Sequence, residues 1–564
     1  MTRQAGSRLL LALAAVAVGF AAADTYVVVL ALPDMMAGVG LSIDELQRAA
    51  PIVSGFLLGY VAMLPLVGRV ADLRGRLPVL VWSLVVFALG SLVTLAAYDL
   101  PSMVAGRFLQ GLGGGGLVPA TLALVADLYP PERRGLPLGV VGAVQEVGSV
   151  LGPLYGALVL AFAPWQGIFA VNLAVGLVLA AALVATGRRD GHDRVRGPRD
   201  RLGWGVAGLG LVALVLVMMQ PAALASRVTA GLVLVPLWGE SRWASPLGLL
   251  AVACLVVVLA RAVPAAREVA AATDVVAALL LALSLGGIVL AFATSQPEVE
   301  VLSPLGPWYL AASAVLAVLF WLRHRSSTNP LVPRGALRAT PAWGALVVSL
   351  LVGAALIAAL VDVPLFARVT VHPDSQLDAA LVLVQLLVAL PVGALLGGAL
   401  LRRVPTGLVT AVGMALATVG FVVMSRWGLT SVAEAPATAT LLVTGLGFGL
   451  ALAPVNAALL ATTEDAVHGV ASALLVVARM VGMLVGISAL TAVGLRRYYA
   501  ETTDLPAPGD VCASGTQCAE YTLLLKEAGL AQLQTVFAGA AVCAAAAGVV
   551  ALVTLRRAGT GTAR

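Results

Sequence analysis

Residues 379–401 read Ala379-Ala-Leu-Val-Leu-Val-Gln-Leu-Leu-Val-Ala-Leu390-Pro-Val-Gly-Ala-Leu-Leu-Gly-Gly-Ala-Leu-Leu401, without one ionisable side chain. About 20 apolar residues in a row is what an α-helix needs to cross the roughly 30 Å hydrocarbon core of a bilayer. Leu9 to Ala23 and Val79 to Ala97 have the same character. Solid runs of this length exclude a transmembrane β-barrel, whose strands are shorter and alternate apolar with polar positions. The whole chain follows suit: its 564 residues are 60% hydrophobic and 11% charged, with a mean hydropathy of +1.02. A soluble domain carries about 25% charge. The fold class is therefore all-α, a polytopic membrane protein.

Apolar runs separated by charged or Gly/Pro-rich breaks predict spans near 9–32, 50–69, 77–98, 102–126, 136–161 and 166–187. Four follow the arginine-rich stretch 187–201, near 203–220, 245–262, 274–293 and 305–323. Six more lie near 342–363, 378–401, 406–425, 437–460, 470–496 and 531–555. The first run, behind Arg3 and Arg8 and containing Ala21-Ala22-Ala23, resembles a secretory signal. It continues through Val27 to Leu32, too long for a signal core, and is read as the first membrane helix.

Cytoplasmic loops of membrane proteins are enriched in Lys and Arg. With the N-terminus inside, 24 of the 34 basic residues fall in cytoplasmic segments and 8 outside, while Arg107 and Arg479 lie within helices. This bias predicts an even number of spans, both termini cytoplasmic, in the inner (plasma) membrane. Sixteen is the favoured count; fourteen keeps the parity if the hairpin 203–262, interrupted by Arg227, Pro236 and Trp238, does not cross. The expected domains are 1–187, a six-helix bundle; 188–341, a linker region with a basic segment and about four extra helices; and 342–564, a second six-helix bundle. The net charge of +6 resides in short loops rather than a patch with interleaved aromatics, which excludes a nucleic-acid partner.

Cys254 and Cys543 sit inside apolar runs and are read as packing residues. Cys512 and Cys518 share the loop 497–530 on the outer, oxidising face, where a disulfide is expected and two free thiols are the alternative. A helix from Val470 to Glu501 would be about 48 Å long at about 1.5 Å per residue, so it should project beyond the outer surface.

Two six-helix groups suggest a secondary transporter built from repeats, and local motifs resemble the major facilitator superfamily. Gly68-Arg-Val-Ala-Asp72-Leu-Arg74-Gly75-Arg76 is similar to the family's cytoplasmic loop motif. The resemblance implies a latch between the two halves, with Asp72 pairing with an arginine or a helix N-terminus. Arg107-Phe-Leu-Gln110-Gly111 resembles the fourth-helix motif. Arg107 lies only about 8 Å from the outer helix end, so snorkelling to the interface is the competing reading. Asp127, with Glu132, Arg133 and Arg134, resembles the gate-side charge cluster.

Gly139, Gly148, Gly152-Pro153 and Gly156 match the antiporter motif of drug exporters at every fixed position. Gly148, Gly152 and Gly156 recur every four residues and permit close helix contact. Glu146 stands inside this motif near the midplane, Asp24 opens Asp24-Thr-Tyr-Val-Val-Val29, and Arg479 lies in Val476-Val-Ala-Arg479-Met. These three are expected to form the proton-coupling and gating set. Tyr26 and Val29 depart from the drug/proton antiporter signature, and Gln166 replaces an arginine in Trp165-Gln166-Gly167-Ile-Phe169-Ala-Val-Asn172.

The runs around Asp24, Glu146, Leu360-Val-Asp362-Val and Arg479 most resemble actinobacterial exporters that act with a triacylglycerol-binding lipoprotein. The resemblance implies export of triacylglycerol or a related lipid coupled to protons, by a monomer, with a periplasmic lipid-binding lipoprotein as partner. The alternative is a multidrug/proton antiporter exporting amphipathic drugs. An enzyme is not expected. The four histidines have no metal-ligand spacing, no cofactor motif is present, and with Lys526 the sole lysine no phosphate-binding G-x-x-x-x-G-K can form.

Overall fold

The computed structural model describes residues 2–41, 46–189, 201–227, 231–239, 241–272, 274–293, 305–327, 330–332, 335, 338–371, 376–464, 467–503, 505–506, 511–512 and 518–555. Every predicted span has a helix. We label the sixteen described helices of 19 residues or more α1 (Thr2–Gly38), α2 (Leu46–Arg74), α3 (Arg76–Leu95), α4 (Leu100–Leu128), α5 (Gly135–Phe162), α6 (Gln166–Arg189), α7 (Arg201–Met219) and α8 (Pro246–Ala272), then α9 (Val275–Ala293), α10 (Gly306–Ser326), α11 (Thr340–Thr370), α12 (Gln376–Leu400), α13 (Thr406–Met424), α14 (Ala435–Thr462), α15 (His468–Thr503) and α16 (Ala519–Thr554). Among the described residues, thirteen are long and apolar enough to cross a membrane, or fourteen counting α2, which bends at Pro65. In α5 and α9 the described apolar stretches, Gly135–Gln145 and Val275–Ile288, are shorter. Of the basic segment 188–201, residues 190–200 lie outside the described residues.

Local chemistry sets the helix boundaries. Asp99 caps α4 by accepting from Ser102 N–H at 2.9 Å, and Ser102 Oγ accepts in return from Asp99 N–H at 3.3 Å. Gly75, at φ +93°, makes the one-residue turn between α2 and α3, a conformation that side chains disfavour. Asp274 caps α9 through Ala277 N–H at 3.0 Å and pairs with Arg323 at 3.0 Å.

Helices α1–α6 pack as one bundle, with α4 against α2 and α3, α5 along α1 and α6 on α3. Helices α11–α16 form the second, with α14 against α12 and α13, and α11 against α15 and α16. Phe366, Phe421, Phe448, Phe537 and Trp427 fill its core, the Phe366 and Trp427 rings meeting edge-on at 5.4 Å. The bundles meet along two seams, α2 with α15 and α5 with α12.

The two extra hairpins lie on different flanks. Ser284 Oγ donates to the Ser313 carbonyl at 2.9 Å to join α9 to α10, and α9 lies on α2 and α15. The α7–α8 hairpin sits against α3: Trp204 stacks on Trp82, and Arg242 covers the Tyr98 ring at 4.0 Å while donating to the Met218 carbonyl at 2.7 Å. Its other faces expose Leu209, Val212, Leu255 and Val256, as a lipid-facing surface requires.

Helices α15 and α16 hold 36 residues each. At about 1.5 Å per residue each reaches roughly 54 Å, so both project beyond the bilayer core. The sixteenth helix starts at Ala519 rather than near 531, because its polar first turns continue the helix outside the apolar run. Cys512 and Cys518 form a disulfide between these extensions, with Cα atoms 5.7 Å apart.

Candidate functional site

Asp24 of α1 lies inside the first bundle with 1% of its surface exposed. Arg107 and Gln110, three residues apart on α4, share the helix face that meets it. Arg107 Nη1 donates to Asp24 Oδ2 at 2.8 Å and to Gln110 Oε1 at 2.8 Å, and its Nε donates to the Ile52 carbonyl of α2 at 3.4 Å. The guanidinium lies 4.6 Å from the Phe56 ring centre and 5.9 Å from that of Phe169. Gln110 Nε2 donates to Ser91 Oγ of α3 at 2.8 Å and stands 3.5 Å from Asp24 Oδ1. From α6, Asn172 Nδ2 donates to Asp24 Oδ1. An ionised carboxylate only accepts hydrogen bonds, and each of these side-chain groups facing Asp24 is a donor. Burying a charge is tolerable only with such pairing.

Arg107 is thus fully buried, at 1% exposure, and does not snorkel. Its long side chain turns inward because Asp24 and two aromatic faces await it within the bundle.

A second feature is a cavity between the bundles, walled by α4 and α5 on one side and α11, α14 and α15 on the other. Its wall is mostly apolar, with Val118 and Val141 among the lining residues and Gln145, Ser349, Asn456 and Arg479 as polar points. Asp24 is not part of it. The structure therefore pairs Asp24 with Arg107 and sets Arg479 in the inter-bundle cavity. Glu146 follows Gln145 on α5, and its side chain, like that of Pro153, lies outside the described residues.

Gly148, Gly152 and Gly156 lie along α1. A methyl group at Gly148 would overlap the Gly19 carbonyl, and one at Gly152 would lie 2.5 Å from the Ala23 carbonyl. In the second bundle Gly482 of α15 abuts the Leu350 carbonyl of α11 in the same way. Gln145 and Arg479, each three residues before its glycine, hence occupy corresponding places in the two repeats. Gly139 instead faces Ala394 of α12 across the seam, beside Gly135 against Gly398. Gly111 brings α4 against the Phe56 carbonyl of α2.

The third feature closes the arginine-rich end. Asp72 Oδ1 accepts from Gly469 N–H at 2.9 Å, and Oδ2 accepts from Val470 N–H at 3.2 Å, so α2 caps the N-terminus of α15 in the other bundle. Gly68 packs on Gly469 in the same contact. Arg76 bridges Asp72 at 3.2 Å and Asp127 at 3.2 Å. Arg74 points away, to Glu268 of α8 at 2.7 Å.

Sequence reasoning gave no role to Asn172 or Gln145. The available signal was a neutral polar side chain within an otherwise apolar span, which at membrane depth demands a partner.

The Major Facilitator Superfamily profile matches residues 14–296. The chain is 35% identical over 528 residues to a triacylglyceride transporter of Mycolicibacterium hassiacum, covering 91% of this chain and 84% of that protein. It is 34% identical to the triacylglyceride transporter of Mycolicibacterium smegmatis, over 90% of this chain and 79% of the relative. The human organic anion transporter MFSD10 is similar in fold, with a TM-score of 0.52 at 15% identity over 97% of this chain and 99% of that one. The proton:xylose symporter XylE gives a TM-score of 0.52 at 12% identity over 96% and 95% of the two chains.

Proposed function

The chain belongs to the Major Facilitator Superfamily, a membrane transporter and not an enzyme, and on that premise we propose that it exports an apolar lipid of the triacylglyceride class from the inner membrane by proton-coupled alternating access. The substrate class rests on relatives named for that activity over about nine-tenths of the chain, and it suits a cavity lined mainly by aliphatic side chains.

The observation that carries the coupling is the buried Asp24–Arg107 pair. A proton added to Asp24 cancels its charge and leaves Arg107 unmatched in a low-dielectric interior, which is costly in whichever arrangement holds the pair closed. The two arrangements of the bundles then exchange relative stability. Asp72, Arg76 and Asp127 hold the arginine-rich, cytoplasmic end shut in one of them. Arg479 sits on the cavity wall and, with Glu146 on the facing helix, gates the passage. Lipid leaving the outer end would pass to a periplasmic lipid-binding lipoprotein, and the transporter acts as a monomer with both termini in the cytoplasm.

The test is reconstitution in proteoliposomes with an imposed proton gradient, offering radiolabelled triacylglyceride and a cationic dye side by side. Gradient-dependent lipid movement supports the reading. Dye export without lipid movement would replace it with a multidrug/proton antiporter.

A further inference from the structure

Asp24 is held from α6 as well as from α4, and the α6 contact leads on to the helix that touches the other bundle. Asn172 is fully buried, at 0% exposure, with its amide nitrogen on Asp24 Oδ1. Its amide oxygen faces Tyr155 of α5, whose hydroxyl lies 3.4 Å away and also donates to the Ile168 carbonyl at 3.0 Å. Tyr155 shares α5 with Gly152, which packs on Ala23 beside Asp24, and with Gly139, which packs on α12 of the second bundle. A continuous chain of contacts thus runs from the Asp24 carboxyl through Asn172 and Tyr155 to the helix at the seam.

We propose that Asn172 is a positioning residue that reads the proton on Asp24 and passes its state to α5 by inverting its amide. This deepens the reading of Asp24 as the proton site and rests on it.

The donor inventory dictates the step. While Asp24 is ionised it can only accept, so Asn172 must present its NH2 group and turn its oxygen toward Tyr155. When a proton adds to Asp24 Oδ1, that oxygen becomes a donor and the two facing donors collide. A half-turn of the Asn172 amide resolves this: Asp24 O–H then donates to Asn172 Oδ1, and Asn172 Nδ2 donates to the Tyr155 oxygen. Tyr155 keeps its bond to the Ile168 carbonyl throughout and changes from donor to acceptor toward Asn172. No covalent bond changes apart from the one proton gained, and Asp24, Asn172 and Tyr155 each keep a hydrogen-bond partner, while the Arg107 charge loses its counter-charge.

Among the described residues the charged and titratable groups facing Asp24 are Arg107 from α4 and Tyr155 from α5. The other elements contribute neutral groups: Asn172 from α6, Ser91 of α3 through Gln110, and the Ile52 carbonyl of α2 through Arg107. Asn172 bonds both forms of the carboxyl, but its charge-assisted bond to the ionised form is the stronger, so its loss makes Asp24 bind its proton more tightly.

The experiment uses the full chain in lipid nanodiscs and follows the infrared band of the protonated carboxyl against pH, the Asp24 contribution being the part that Asp24→Asn removes. Asn172→Leu keeps the branched shape and the number of heavy atoms and removes both hydrogen bonds. Its Asp24 midpoint should rise by about one pH unit, a roughly tenfold gain in proton affinity. Tyr155→Phe, a milder change that serves if the leucine variant does not fold, should raise the midpoint by less. A role confined to packing would lower the yield of folded protein and leave the midpoint in place. Unmoved midpoints in both variants, with the band still lost in Asp24→Asn, overturn this inference alone. A band that Asp24→Asn does not touch overturns the proton site itself and this inference with it.

Discussion

Arg107 Nη1 and Asp24 Oδ2 lie 2.8 Å apart, joining positions 83 residues distant in the chain, and each side chain is almost wholly removed from solvent. Both residues were visible in the sequence as charges in apolar runs, but only the fold makes them partners.

Breaking such a pair from one side strands the other charge. Arg107→Gln alone should destabilise the first bundle by about 3–5 kcal/mol, and Asp24→Asn should also be costly because Arg107 remains. The double variant should lose less than the sum, with a coupling of about 2 kcal/mol or more. Unfolding in mixed micelles across the four proteins measures it, and additive losses would mean the pair does not interact.

Close helix contact makes an opposite pair of predictions for two glycines. Gly148→Ala forces a methyl group into the Gly19 carbonyl, which neither backbone can avoid, and should cost about 1–3 kcal/mol. Gly205, on α7, has nothing within 4 Å of its missing Cβ. Gly205→Ala should be neutral or stabilise by up to about 1 kcal/mol through helix propensity. Thermal unfolding of the two variants compares them directly.

Helix positions were legible because a bilayer demands long apolar runs, and each of the sixteen predicted runs coincides with a helix. Spacing along one helix was legible too: Gly148, Gly152 and Gly156 share the face that packs on α1. What the sequence could not give was which charges meet. The sequence marks Asp24, Glu146 and Arg479 as one expected coupling and gating set, and the crossing of α1 and α4 adds Arg107 as the direct partner of Asp24. The capping of α15 by Asp72 joins residues 397 and 398 positions apart. The polar extensions of α15 and α16 were hard to bound because hydropathy stops marking a helix once it leaves the membrane.

The cap that Asp72 places on α15 is predicted to hold the arginine-rich end closed. Asp72→Asn removes the charge that favours the helix N-terminus and weakens two charge-assisted bonds, at a cost of about 1–2 kcal/mol to the closed arrangement. A cysteine pair placed across the α2–α15 contact should then cross-link less completely than in the parent protein. Undiminished cross-linking would show that the cap does not hold the seam.

The disulfide between Cys512 and Cys518 closes a short loop, for which chain entropy gives a stabilisation of about 2 kcal/mol. Reducing it, or replacing both cysteines with serine, should make the segment between α15 and α16 more susceptible to protease without unfolding the bundles. Equal cleavage with and without reductant would contradict this.

The central claim is that a proton on Asp24 drives lipid movement. Its most direct test is triacylglyceride transport by Asp24→Asn in proteoliposomes under an imposed proton gradient, beside the parent protein. The account predicts that the variant binds the lipid but loses the gradient-dependent part of its movement. Movement that still rises with the gradient as in the parent would contradict it.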